Sequence, residues 1–203
     1  GVMAFSGSAV VDSENTSGFG LNGKPPLVAV YTGHSAGRQT QDIAFSNDRG
    51  RTWTKYEGNP VLDIGEADFR DPKVFWHSPS RRWVMVVALA VQKKLQFYGS
   101  QNLKDWTLLS EFGPAGVPSK PNWECPDTFE LPIENEPGRT RWVLEADMGG
   151  TEMNNAIGTD NAPHAAFLLM KSAISFIELN SNKSEITRRC GHNKSICLCN
   201  LMI

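Results

Sequence analysis

Two acidic side chains, each close to a proline, are the residues of this chain best suited to chemistry. Asp71 lies in the tripeptide Arg-Asp-Pro at residues 70–72, and Glu124 lies in Trp-Glu-Cys-Pro at residues 123–126. Each acid opens a short run of apolar and β-branched residues that predicts a strand. Two converging carboxyl groups, one protonated and one charged, are what the cleavage of a glycosidic bond requires. We therefore expect the two acids to meet from equivalent places in a repeated unit.

The neighbours of each acid suggest different roles. Arg70 keeps the Asp71 carboxylate ionised and ready to accept hydrogen bonds from sugar hydroxyls, and Pro72 biases Asp71 towards extended geometry. Glu124 follows Trp123, and apolar surroundings favour a carboxyl group that keeps its proton, as a general acid must. Taken singly, each acid is as well explained by a turn or a surface loop. Only their corresponding positions favour a shared site.

The elements that must position these acids form an internal repeat. Residues 46–53 are echoed by residues 100–106, and Pro72 is echoed by Pro126, at offsets of 53 or 54 residues. The strands are predicted at residues 5–11, 27–32, 41–46 and 54–61 in one unit, and at 73–76, 83–89, 94–99 and 107–112 in the next. Four strands in about 50 residues are typical of a β-propeller blade.

The first member of the echoed pair fits the Asp-box pattern S-x-D-x-G-x-x-W. In that pattern Asp48 ties down a hairpin turn, Gly50 allows a positive φ, and Trp53 packs between strands. This is a structural motif, so we assign it no catalytic role.

Blade-like patterning ends near residue 150. The expected fold is therefore all-β, an incomplete β-propeller of about two and a half blades in residues 1–150. Residues 151–203 are expected to be an unpatterned tail outside the propeller family, with read-through sequence or disorder as the hypothesis. Within that tail, residues 165–179 are apolar with spacing compatible with a helix.

Bulk properties exclude several classes of partner. The net charge is −2, and the absence of a basic block argues against nucleic acid and anionic membranes. The longest strongly apolar run, residues 83–91, is far shorter than the roughly 20 residues of a membrane span. Near the C-terminus lie Cys190, His192, Cys197 and Cys199, but their spacing matches no usual zinc site, so we expect no zinc site there.

Three motifs in order resemble the family 32 glycoside hydrolases, which include invertases, levanases, inulinases and fructan exohydrolases. They are Phe-Ser-Gly-Ser at residues 5–8, Arg-Asp-Pro at 70–72 and Trp-Glu-Cys-Pro at 123–126, and the resemblance covers roughly residues 1–148. It implies a five-bladed propeller, usually followed by a β-sandwich. It also implies a secreted enzyme that hydrolyses β-fructofuranosidic bonds of fructans or sucrose with retention, without cofactor or metal.

The resemblance implies a role for each site residue. Glu124 matches the family's general acid/base. Asp71 matches the stabiliser of the transition state and, with Arg70, would hold fructose hydroxyls. Phe5 and Ser6 match positions in the substrate pocket.

One part of the family pattern is missing. The nucleophile is an Asp in a W-M-N-D-P-N-G-type motif, which these 203 residues do not contain. The nearest candidates, Asp12 and Asp42, stand in different contexts. A retaining mechanism needs that nucleophile to form its glycosyl-enzyme intermediate, so we expect this chain alone to be inactive.

Two other functions remain open from the sequence. One is a non-catalytic or degenerate sugar-binding propeller that keeps Arg70 and Asp71 for recognition. The other is a sialidase, suggested by the Asp-box; it would need a Tyr nucleophile and an arginine cluster. Candidates for that Tyr are Tyr31, Tyr56 and Tyr98, but no arginine triad accompanies them.

Overall fold

The structure is a computed structural model that describes residues 1–114, 122–149, 164–170 and 199–200. In this part of the chain it has twelve strands and a single 3₁₀ turn, Ser78–Ser80. The strands are β1 Met3–Val11, β2 Leu27–Ser35, β3 Arg38–Ser46, β4 Thr54–Lys55, β5 Phe69–His77, β6 Arg82–Leu89, β7 Lys94–Ser100, β8 Thr107–Phe112, β9 Asn122–Pro132, β10 Thr140–Gly149, β11 His164–Met170 and β12 Cys199–Asn200. Across the described residues, no helix has the length and apolar character needed to cross a membrane.

The strands form three four-stranded sheets, each made of strands that are consecutive in the chain. Sheets β1–β4 and β5–β8 are antiparallel throughout, and in the third sheet β12 pairs with β11 in parallel. The first strands of the sheets lie side by side, with β5 in contact with both β1 and β9. Consecutive sheets joined through their first strands are arranged like blades of a propeller.

The middle sheet is buried on both faces, and β6 shows why. Side chains alternate along a strand, so its two sets of apolar residues enter two different cores. Trp83, Met85, Val87 and Leu89 pack towards the first sheet, whereas Val84, Val86 and Ala88 pack towards the third. A strand buried on both faces reads as one continuous apolar run, as residues 83–90 do. Each fully buried Val or Met contributes about 1.5–3 kcal/mol of hydrophobic stabilisation.

Both complete units expected from the repeat are present, with one shortened strand. β4 covers Thr54–Lys55 where residues 54–61 were expected. The chain turns at Asn59, whose side chain bonds both the N–H and the carbonyl of Ile43. It then rejoins β3 through a single bridge between Leu62 and Gln41. The side chain of Asn59 thus takes the place of strand pairing there.

The third sheet continues past residue 150, where we expected the pattern to end. β11 pairs with β10 from Trp142↔Met170 to Met148↔His164. The helical interpretation of the apolar run is therefore wrong for its first residues, because a short apolar run does not distinguish a buried strand from a helix. The expectations for Cys190, His192 and Cys197 lie outside the described residues.

The two echoed turns have matching hydrogen bonds. The Asp48 carboxylate accepts bonds from Ser46 Oγ at 2.7 Å and from the N–H of Thr52 at 2.9 Å. These bonds, with that of the Thr52 hydroxyl, lower the pKa of Asp48. In the second turn Asn102 Oδ1 accepts the N–H of Asp105 at 2.9 Å. Trp53 is 43% exposed, so its expected place between strands is wrong.

Candidate active site

A bulge interrupts the first strand of each sheet at the same level. At each bulge two residues face one on the neighbouring strand, which bends the strand and redirects its side chains. The bulged pairs are Phe5 and Ser6 in β1, Asp71 and Pro72 in β5, and Cys125 and Pro126 in β9. The three sequence motifs are therefore the three bulges, and they lie on adjacent strands.

The bulges of β5 and β9 have the same backbone form. Asp71 has φ of 64° and Cys125 has φ of 44°, and a proline follows each. The extended geometry expected for Asp71 is thus wrong: the bulge places it in the left-handed region, which Asp tolerates better than most residues. The register makes Asp71 equivalent to Cys125, and Arg70 equivalent to Glu124. Asp71 and Glu124 therefore do not occupy equivalent positions in their strands and differ by one residue. Both nevertheless lie beside Arg70.

Arg70 joins the two acids. Its Nη2 lies 2.7 Å from Glu124 Oε1, and its Nε lies 3.9 Å from Asp71 Oδ2. Its Nη1 lies 2.6 Å from Asp68 Oδ1, and the side chain is 13% exposed. Desolvation lowers the pKa of Arg70, but hydrogen bonds to Glu124 and Asp68 outweigh it and raise the pKa. The guanidinium is therefore a fixed cation between the carboxylates of two sheets.

Asp71 is anchored to all three sheets. Its N–H donates to Thr32 Oγ1 in the first sheet at 2.9 Å. Its Oδ2 accepts the N–H of Cys125 in the third sheet at 2.9 Å. With only 8% of the residue exposed, these bonds fix the carboxylate where the three bulges meet. Such a group can hold a polar ligand without moving.

Glu124 lies in a different environment from the one expected. Trp123 points into the core between the second and third sheets and stacks on Phe112 with ring centroids 5.9 Å apart. Strand alternation sends Glu124 to the opposite face, where it contacts Arg70 and its side chain is 38% exposed. The expectation of aromatic surroundings for Glu124 is wrong, because neighbouring residues of a strand do not share a face.

Phe5 and Ser6 lie on the bulge of β1, the strand beside β5. Phe5 is 43% exposed and stacks on His34 with centroids 4.9 Å apart and planes 8° apart. Ser6 is exposed, and in the part of the chain that the structure describes it forms no hydrogen bond with Asp71 or Glu124. The acids and Arg70 thus form the assembled part of the site, with Phe5 as an apolar surface beside it.

Two further residues of the Phe-Ser-Gly-Ser motif fix the position of β1, Ser8 against β5 and Gly7 against β2. Ser8 Oγ donates to the carbonyl of Pro72 at 3.0 Å and accepts the N–H of Val74 at 2.9 Å. A Cβ on Gly7 would lie 2.1 Å from the carbonyl oxygen of Val30, so a side chain does not fit there. Sequence reasoning missed both roles, although both residues stood in the motif.

Asp147 is an acid at the site that sequence reasoning also missed. It lies directly opposite Glu124 across the β9–β10 pair. Burial and the charges of Glu124 and Asp71 raise its pKa. Burial raises the pKa of the Cys125 thiol to about 11, with further contributions from Asp71 and Asp147, so this thiol stays protonated at neutral pH. The sequence feature that could have identified Asp147 is the alternation of side chains along β10, which puts Glu145 and Asp147 on one face of the strand.

Asp12 and Asp42, the nearest candidates for the nucleophile in the sequence, are not in the bulges that carry Asp71 and Glu124. Asp12 is fully buried, and its carboxylate accepts hydrogen bonds from the backbone and hydroxyl groups of Thr16 and Ser17. Asp42 accepts a bond from Thr40 at 2.9 Å, and burial raises its pKa. Asp12 therefore organises a turn, and Asp42 belongs to the first sheet.

Comparisons with known proteins agree on one family. Residues 1–173 match the model of the glycosyl hydrolases family 32 N-terminal domain. A levanase of Bacillus subtilis is 51% identical over 155 residues, covering 76% of this chain and 23% of the levanase. An extracellular exo-inulinase of Aspergillus niger is 44% identical over 167 residues, covering 72% of this chain and 31% of that protein.

Solved structures give the same result. A fructofuranosidase from Schwanniomyces occidentalis complexed with fructose is 42% identical with a TM-score of 0.73, covering 83% of this chain and 32% of that one. An exo-inulinase from Aspergillus awamori is 37% identical with a TM-score of 0.75, covering 88% and 38%. These likenesses confirm the all-β, partial-propeller fold. The chain spans less than two fifths of each of these four relatives.

Proposed function

The chain belongs to glycosyl hydrolase family 32, and from this premise we propose that it forms the acid/base part of a β-fructofuranosidase. The observation that carries the proposal is the Arg70 guanidinium, which holds Glu124 at 2.7 Å and Asp71 at 3.9 Å from separate sheets. Levanases, exo-inulinases and invertases among its relatives point to fructans or sucrose as the substrate. The relatives named as extracellular point to secretion.

Each residue has a defined task in the proposed reaction. Glu124 gives a proton to the oxygen of the leaving sugar and later takes one from the attacking water. The Asp71 carboxylate accepts hydrogen bonds from fructose hydroxyls and stabilises the positive charge of the transition state. Arg70 fixes the distance between them. A retaining reaction also needs a carboxylate nucleophile, and no residue in this sequence stands in the family's motif for it.

The division into a catalytic propeller in residues 1–150 and a separate tail in residues 151–203 stays a prediction, and we propose that the propeller instead extends beyond residue 150. The family match to residue 173 and the pairing of β11 with β10 favour a later boundary. Limited proteolysis with mass spectrometry would locate it. Cleavage at residues 165–170 in the folded chain would contradict the later boundary.

The experiment that tests the function is a chimera with the Bacillus subtilis levanase. The 155-residue segment matched by this chain is replaced by the corresponding residues of this chain, so that the levanase supplies everything else. We expect the chimera to release fructose from levan, and Glu124→Gln to lower the rate about 10²- to 10⁴-fold. The matched control is Glu130→Gln, an exposed acid on the same strand, which we expect to leave the rate unchanged.

Three results would count against parts of the proposal. A folded chimera without fructose release would contradict the catalytic function, and an unaffected Glu124→Gln variant would contradict the role of Glu124. Fructose release by the 203-residue chain alone would overturn the expectation that it is inactive.

Sugar binding without catalysis is a second candidate, favoured by the short ion pair between Arg70 and Glu124. That contact occupies Glu124 Oε1 with a cation, whereas a general acid must present its carboxyl group to the leaving oxygen. A chimera that binds fructose in calorimetry and hydrolyses neither levan nor sucrose would establish this alternative.

A further inference from the structure

Carboxylates outnumber cations at the junction of β5, β9 and β10. The cations are Arg70 and Lys73. The acids around them are Asp68, Asp71, Glu124, Asp127, Glu145 and Asp147. Like charges this close together raise the cost of ionising every member, so a proton is retained where no cation compensates the charge.

Both cations are already engaged. Arg70 bonds Glu124 and Asp68, and Lys73 Nζ lies 2.8 Å from Asp127 Oδ2. Over the described ranges, neither Glu145 nor Asp147 has an ion pair or a hydrogen bond from its side chain. The charge of Lys73 favours the ionised form of Glu145, whereas the charges that act on Asp147 are those of Glu124 and Asp71, both negative. Of these acids, Asp147 is therefore best placed to keep a proton.

The position of Asp147 links that proton to Glu124. The two residues form a directly opposed pair across β9 and β10, immediately beside the bulge at Cys125. Directly opposed side chains on adjacent strands lie within contact distance. On the other side of β10, the backbone partner of Asp147 is Ala165, which carries no titratable group. Glu124 is thus the acid nearest to Asp147 in the strand register.

We propose that Asp147 is a positioning residue that shares one proton with Glu124 and supplies it to the proposed reaction. In the free site Arg70 binds the Glu124 carboxylate, and the proton rests on Asp147. When fructose hydroxyls compete for Arg70, an O–H bond on Asp147 breaks, one forms on Glu124, and the negative charge moves to Asp147. Glu124 then passes that proton to the leaving oxygen. The inference rests on the proposed function and explains how an ion-paired Glu124 can act as an acid.

The electrostatics around Asp147 agree with this arrangement. Burial raises the pKa of Asp147, and the charges of Glu124 and Asp71 raise it further. Asp147 in turn contributes to the raised pKa values of Glu145 and of the Cys125 thiol. These neighbouring negative charges therefore favour the protonated form of Asp147.

The direct test is a carbon-13 NMR titration of the Asp147 carboxyl group in the 203-residue chain. We expect its midpoint to lie above that of an ordinary Asp and to fall in the Glu124→Gln variant, which removes the neighbouring charge. Glu130→Gln, on the same strand and hydrogen-bonded to Thr140, should leave the midpoint unchanged. An Asp147 midpoint that is ordinary, or equal in the parent and Glu124→Gln chains, would overturn the proposal.

A second readout uses the levanase chimera. In Asp147→Asn, Glu124 loses its negative neighbour and gives up its proton more readily, so the alkaline limb of the rate profile should move about one pH unit lower. Asp147→Glu should restore the limb, whereas a purely structural role would change thermal stability and leave the limb in place. If the parent chimera is inactive, the proposed function fails, and the NMR titration still decides whether Asp147 and Glu124 are coupled.

Discussion

The bulges of β5 and β9 share one backbone form and differ in the side chains that they present. In each bulge the residue before the proline, Asp71 in β5 and Cys125 in β9, has a positive φ. The β5 bulge presents Arg70 and Asp71, and the β9 bulge presents Glu124 and Cys125. The same backbone conformation therefore carries two different sets of functional groups.

Contacts between these bulges join equivalent positions. Arg70 binds its counterpart Glu124 at 2.7 Å, and the Asp71 carboxylate accepts the N–H of its counterpart Cys125 at 2.9 Å. Lys73 binds its own counterpart, Asp127, at 2.8 Å. Adjacent sheets of a repeat therefore bring equivalent positions together, and a site arises where the paired residues have complementary chemistry.

In the β5 bulge, the largest effect should come from the charge on Asp71. Asp71→Asn keeps an oxygen that can accept the N–H of Cys125, so the bulges stay joined while the negative charge is lost. In the levanase chimera we expect fructose release to fall about 10²- to 10³-fold with little change in thermal stability. A variant as active as the parent chimera would show that the reaction does not need the negative charge of Asp71.

Glycine substitutions at Asp71 and Cys125, the two residues with positive φ, separate the effect of backbone conformation on stability from the effect of the side chain. Cys125→Gly relieves a left-handed backbone conformation, and we expect it to stabilise the chain by about 1 kcal/mol. Asp71→Gly gains the same relief but loses the acceptor for the N–H of Cys125, which costs about 1–3 kcal/mol. Urea unfolding should therefore rank Cys125→Gly above the parent and Asp71→Gly below it. Equal effects would mean that the Asp71 carboxylate does not stabilise the fold.

The ion pair between Lys73 and Asp127 should have a smaller effect. Both side chains are 36% exposed, and exposed pairs contribute about 0.2–1 kcal/mol. Lys73→Asp and Asp127→Lys should each lower the melting temperature, and the double variant should recover part of the loss. The absence of any recovery would show that these equivalent positions are not coupled.

The two echoed turns give the smallest effect and a pH dependence. Because hydrogen bonds lower the pKa of Asp48 in the folded chain, its contribution to stability is present above the usual pKa of Asp and is lost as the pH falls through the folded value. Asp48→Asn should therefore lower the melting temperature at neutral pH, with a difference that shrinks in acid. Asn102 carries no charge, so Asn102→Ala should show a difference that stays constant with pH.

Much of this arrangement could be predicted from the sequence. The repeat and the turn residues predicted the eight strands of the first two sheets, because period-two patterns and Gly/Asn/Asp turns are local signals. The motifs likewise predicted that Asp71, Arg70 and Glu124 would meet. The shortened β4 could not be predicted, because it depends on a hydrogen bond of Asn59 to a distant strand.

The environment of each acid was harder to predict. Trp123 is next to Glu124 in the chain and on the opposite face in the fold, so its apolar character does not reach the carboxyl group. The sequence did show that the two acids are not counterparts, because the 54-residue offset from Pro72 to Pro126 pairs Asp71 with Cys125, as the register of the strands confirms. The carboxyl group of Asp147 comes to Glu124 only through pairing of β9 with β10. Long-range register of this kind leaves little trace in the sequence.

The central claim is that the two bulges form one site, and a double-mutant cycle between Arg70 and Glu124 tests it most directly. Fructose release would be measured for the levanase chimera, for Arg70→Met, for Glu124→Gln and for the double variant. Residues that act as a unit are not additive, so we expect the double variant to be scarcely slower than the slower single variant. Losses that multiply, as for two independent sites, would contradict the account.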